Sequence, residues 1–121
     1  MTEAQNAKRY DLEERTFAFA KRVRTFTKKL PRAIDIDEDI RQLVKASGSV
    51  GANYIEANEA LSKKDFVMRI KICRKEAKES RYWIRLIDTG SRPELEVEQK
   101  ELEEEAKELM NIFGSILRKS E

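Results

Sequence analysis

Four stretches of this chain repeat an apolar or small residue at spacings of four and three, and only short breaks divide them. That spacing returns a side chain to one face of an α-helix at nearly every turn, so each stretch is predicted to be an amphipathic helix. The first seam reads Leu12, Thr16, Phe19, Val23, Phe26, Leu30, and the second Ile36, Ile40, Leu43, Ser47, Val50, Tyr54, Ala57, Leu61. The third reads Phe66, Ile70, Cys73, Ala77, Ser80, Ile84, Ile87, and the fourth Leu95, Leu102, Ala106, Leu109, Phe113, Ile116.

The breaks carry their own signals. Asp11 and Glu14 resemble a capping box before the first seam, and Pro31 disfavours helical geometry at Leu30. The acidic run Asp35, Asp37, Glu38, Asp39 suits the positive end of the second helix, and Ser62 with Asp65 suits a cap for the third. Gly90 and Pro93 close the third helix and open the fourth. The predicted helices span about 12–30, 36–61, 63–89 and 94–118, in a single domain of 121 residues whose first ten and last few are expected to fray. Two prolines, four glycines and 40% charged residues argue against a sandwich or barrel. The expected fold is all-α, an antiparallel up-down-up-down four-helix bundle.

Composition removes much chemistry. Without histidine the chain lacks the commonest general base, the Ser/His and Cys/His nucleophile pairs and the usual transition-metal ligand. Cys73 is the single cysteine, which excludes an internal disulfide or a cysteine metal cluster, and its seam position reads as core. No Gly-rich phosphate loop, dinucleotide fingerprint or zinc spacing occurs. The expectation is a protein that is no enzyme, uses no cofactor or metal, crosses no membrane and sits in the cytoplasm.

Net charge is only +2, yet it is divided by helix. Residues 8–32 and 63–92 are each net +6, whereas 33–62 are net −4 and 93–121 net −5. On the third helix Lys64, Lys71, Lys75, Lys78 and Arg85 fall at helical spacing on one face, with Tyr82 among them. Such a stripe fits phosphate contacts, with Tyr82 placed to stack on a base; it equally fits a solvated face that keeps a bundle soluble. Met68, Ile72, Trp83 and Leu86 project to a flank beside it and read as an oligomer interface, or as the edge of a wide internal face.

The segment Ala46 to Ala60 sits mid-helix yet holds Gly48 and Gly51, at roughly 0.5–1 kcal/mol each against Ala. Ser49, Asn53 and Glu56 line an adjacent stripe. A ligand contact is one reading. The preferred one is a buried polar network joining Glu56 to an Arg or Lys of a neighbouring helix, with the glycines allowing close approach.

Taken together, Tyr10 to Val23, the Leu30-Pro31 stop, Ser49 to Ala60 and Lys63 to Ile87 resemble the small four-helix bundle proteins encoded in bacterial 23S rRNA intervening sequences. The family pattern S-I-x-x-N-I-x-E-G is met by Ser49, Asn53 and Glu56, with Val50, Tyr54 and Ala57 as departures. The resemblance implies a ring-shaped homopentamer. The family is also similar to accessory proteins of diversity-generating retroelements, which associate with nucleic acid and a reverse transcriptase, and this implies RNA or DNA and such a protein as partners.

The expected function is therefore a non-enzymatic homo-oligomer that binds RNA or other nucleic acid. Lys71, Lys75, Lys78, Tyr82 and Arg85 are the primary contacts, with Lys21, Arg22, Lys28 and Lys29 secondary. The rival is a protein-protein interaction scaffold in which basic helices pair with acidic ones and no nucleic acid binds.

Overall fold

The structure, a computed structural model, describes the backbone from residue 3 and the side chains from residue 11 to residue 121. It holds four helices and, among the described residues, no strand: α1 (Glu3–Thr27), α2 (Ile34–Asn58), α3 (Lys63–Leu86) and α4 (Pro93–Lys119). Of the first ten residues, expected to fray, 3–10 are helical in α1, and residues 1 and 2 lie outside the described residues.

Helix ends follow local chemistry with one clear exception. Ser62 caps α3, its Oγ accepting the Asp65 amide at 3.0 Å, and Pro93 opens α4 where its missing N–H costs nothing. Asp11 and Glu14 are no capping box, because α1 already runs from Glu3 and both lie inside it. Helical continuation satisfies the amides that a cap at Asp11 would have served. At the other end α1 stops at Thr27, and Lys29 and Leu30 are held by turn bonds to Phe26 and Thr27 before Pro31. The link from α3 to α4 passes through two left-handed residues, Gly90 (φ 69°) and Ser91 (φ 61°), and the Gly90 amide is tied to Asp88 at 2.8 Å.

The seams meet in one buried cluster. Phe19, Val23 and Phe26 of α1, Leu43 and Val50 of α2, Ile70, Cys73 and Ile84 of α3, and Leu95, Leu102, Leu109 and Phe113 of α4 are fully buried. Each helix packs on its chain neighbours and α1 also on α4, while α1 with α3 and α2 with α4 lie across the bundle. Only large side chains span that diagonal, as the rings of Tyr54 and Phe113 do at 5.8 Å. No described helix is long and apolar enough to cross a membrane.

Candidate nucleic-acid interface

The faces of α3 that flank the core are engaged by α4 and α2. Arg81 and Arg85 reach Glu103 of α4 at 3.4 and 3.5 Å, and Arg69 donates to Asn53 of α2 at 3.0 Å. Arg85 is thus a flank residue, half committed to Glu103, and less available than its place in the predicted stripe implied.

The outward face of α3 differs. Lys64, Lys71, Lys75 and Lys78 are exposed, and no hydrogen bond or ion pair joins them to another described residue. Tyr82 continues this face, 57% exposed, and its ring meets that of Trp83 in a T-shaped contact at 5.1 Å. At the other end lies an open recess of about 580 Å³, lined by Ser62, Lys63, Lys64, Asp65, Val67, Met68 and Lys71. Sequence reading missed it, because helical spacing places residues on a face without showing where the surface is concave.

On α1 the secondary candidates divide in the same way. Lys29 is paired with Glu98 of α4 at 3.1 Å, while Lys21 lies over the exposed Phe17 ring at 5.6 Å and Arg22 and Lys28 are exposed. Beside them Arg15 grips Glu105 through two 2.8 Å bonds and reaches Glu108 at 3.4 Å. The hydrogen bonding to Glu105 outweighs the cost of burial and holds the guanidinium above its ordinary pKa.

The polar segment of α2 is built differently from expectation. Asn53 donates to the Ser49 carbonyl at 2.9 Å and accepts from Arg69, so Asn53 and not Glu56 receives the neighbouring cation. Glu56 is exposed. Exposure keeps that carboxylate hydrated, which costs less than burying it. Gly51 serves close approach, since a Cβ there would lie 2.9 Å from Thr16 Oγ1 of α1. Gly48 is roomier, with the Arg24 guanidinium nearest at 3.4 Å.

The four apolar flank residues of α3 also separate. Met68 and Leu86 are 46% and 49% exposed, whereas Ile72 and Trp83 are half-buried and Trp83 packs against the core. Burial pushes the Cys73 thiol up to about 12, the behaviour of a core residue and not of a nucleophile. Desolvation, then Glu79, raises the Glu76 carboxyl above its usual range against the pull of Lys75 and Lys45. No group of acids and cysteine among the described residues is placed to hold a metal.

The family model of the 23S rRNA-intervening sequence protein matches residues 8–115. The chain belongs to that family. Among solved structures, a protein of unknown function from the S23 ribosomal protein family of Bacteroides thetaiotaomicron VPI-5482 is similar to it. The two share 25% identity and a TM-score of 0.73, over 87% of this chain and 96% of that one. No curated protein matches. The intervening-sequence family thus accounts for the four helices and for the resemblance read from the sequence.

Proposed function

We propose that this family member is a non-enzymatic homo-oligomer that holds RNA or other nucleic acid on the outward face of α3, with Lys71, Lys75 and Lys78 as the main phosphate contacts. The observation that carries the reading is selective neutralisation. Flank cations of α1 and α3 have glutamate partners on α4, whereas the outward lysines form no direct ion pair with another described residue, Lys75 acting on Glu76 only through its field. A row of unpaired ammonium groups releases counterions when phosphates replace them, so binding is expected to be salt-sensitive and largely indifferent to sequence.

The proposed topology is up-down-up-down. Cross-helix pairs support it: Glu13 meets Asn58 while Arg24 lies near Gly48, and Arg15 meets Glu105 while Lys29 meets Glu98. In each pair of helices the numbers rise on one as they fall on the other. A pentameric ring, as the resemblance implies, would repeat the lysine face around one assembly, and exposed Leu86 supplies apolar surface for contacts between copies. A lone, buried thiol fits a reducing cytoplasm.

The scaffold reading draws on the same ion pairs, which show that basic and acidic helices of this chain do associate. A filter-binding titration separates the two. Affinity for RNA that falls steeply between 50 and 200 mM salt supports the proposal. Absence of salt-sensitive affinity for RNA or DNA overturns it in favour of the scaffold.

A further inference from the structure

Two apolar platforms bracket the lysines of α3. At the start of the helix, Val67 and Met68 form the apolar part of the open recess, with Lys63, Lys64 and Lys71 also lining it. About 21 Å further along, taking about 1.5 Å per residue from Met68 to Tyr82, stands the exposed Tyr82 ring. Its contact with Trp83 limits how the ring can turn, so the platform is partly set before any ligand arrives. Between the two lie Lys71, Lys75 and Lys78.

A duplex offers such a face only phosphates and sugars, because its base faces are stacked inside. An unpaired strand offers phosphates to the lysines and base faces to the platforms, burying apolar area that would otherwise stay wet. The recess adds a further discriminator: Asp65 is the one acid lining it. A carboxylate repels phosphate but accepts a hydrogen bond from a hydroxyl, and the ribose 2′-hydroxyl is the group that distinguishes RNA from DNA.

From this arrangement we infer that the α3 face selects single-stranded RNA, seating one base in the Met68 recess and stacking another on Tyr82 while the intervening lysines hold the backbone. The inference rests on the proposed nucleic-acid reading and narrows it to one ligand class.

Fluorescence-anisotropy titrations of the full chain with one sequence presented as single-stranded RNA, duplex RNA, single-stranded DNA and a base-free ribose-phosphate strand test it. The single-stranded RNA is expected to bind at least about tenfold more tightly than the other three, and Tyr82→Ala to lower that affinity about 5- to 100-fold. Tyr82→Phe, which keeps the ring, is expected to restore it. Met68→Ser, which removes apolar surface without adding charge, should weaken single-stranded RNA and leave the duplex nearly unchanged, with circular dichroism confirming the helical fold of each variant. Equal, salt-sensitive affinity for the single strand and the duplex would overturn this inference and leave the lysine contact standing. Single-stranded DNA binding as tightly as RNA would overturn the assignment to RNA. No salt-sensitive binding to any of the four would overturn both.

Discussion

The basic residues of α1 and those on the outer face of α3 sit in different circumstances. Residues 8–32 and 63–92 carry the same net charge, +6. Yet α1 lies beside α4, whose glutamates take Arg15 and Lys29, and on its other side it meets α2 so closely that Gly51 touches Thr16. The lysines of α3 point away from both neighbours. What differs is the side chain's angle to the nearest acidic helix, and that decides whether a charge supports the fold or remains available.

The sharpest way to break this contrast is to remove the outward lysines together. Replacing Lys71, Lys75 and Lys78 by Ala should lower the slope of log affinity against log salt by about three, roughly one for each lost phosphate contact. Chemical denaturation should show stability within about 0.5 kcal/mol of the parent, as for surface changes that touch nothing. Unchanged binding would show that the outer face of α3 is only a solvated one.

The α1 side should respond in the opposite sense. Gly51→Ala places a methyl within 2.9 Å of Thr16 Oγ1, a hydroxyl already bonded to the Leu12 carbonyl at 2.9 Å, so the helices must shift. An overpacking cost of about 1–3 kcal/mol is expected. At Gly48 the nearest atom belongs to a flexible arginine 3.4 Å away, so Gly48→Ala is expected to stabilise by about 0.5–1 kcal/mol through helix propensity. Urea melts of the two variants read the difference in sign.

A smaller effect is expected at Arg15. Its side chain is 32% exposed and that of Glu105 only 13%, and exposure limits what the pair contributes. Arg15→Ala should cost about 1 kcal/mol in the same melts and leave affinity for RNA unaltered, the reverse of the lysine triple. Loss of RNA binding on Arg15→Ala would erase the distinction between the two regions.

The smallest expected change concerns Glu76, whose carboxyl is raised first by desolvation and then by Glu79. A raised carboxyl pKa means that the folded chain holds this proton more tightly than the unfolded one, so ionisation at neutral pH weighs against folding. Glu76→Gln should therefore stabilise slightly at pH 7, and the gap should close as pH falls through the carboxylate range. Thermal melts across pH 3–7 would show it, and a gap that widens toward acid would contradict the assignment.

The four helices were legible because their signal is local. Seams such as Ile70, Cys73, Ala77 and Ile84 keep a helical period, and their side chains are buried as that period requires. Ser62 is legible as a cap for the same reason, since its partner is three residues away. The start of α1 was not, because Asp11 and Glu14 look alike in a cap and in a helix that began earlier. The candidate site was half legible: helical spacing placed Lys71, Lys75, Lys78 and Tyr82 on one face. It gave no warning that Arg85 and Lys29 would meet Glu103 and Glu98, or that Arg69 would choose Asn53 and leave Glu56 in solvent.

By itself the sequence determined the helical class, most of the residues that face inward, the alternation of basic and acidic helices, and the family; Leu61, read into the second seam, instead lies exposed beyond the end of α2 at Asn58. Each of these depends on neighbours within a few positions along the chain, or on their pattern. Only the tertiary structure decided which charges are neutralised, which glycine is crowded, and where an apolar recess adjoins the lysines. The first two depend on close approach of residues far apart in the chain, such as the 2.8 Å pair of Arg15 and Glu105, and the recess on how the residues around the start of α3 are left exposed. Interactions of that range are set by how helices rotate and cross when they bury their seams.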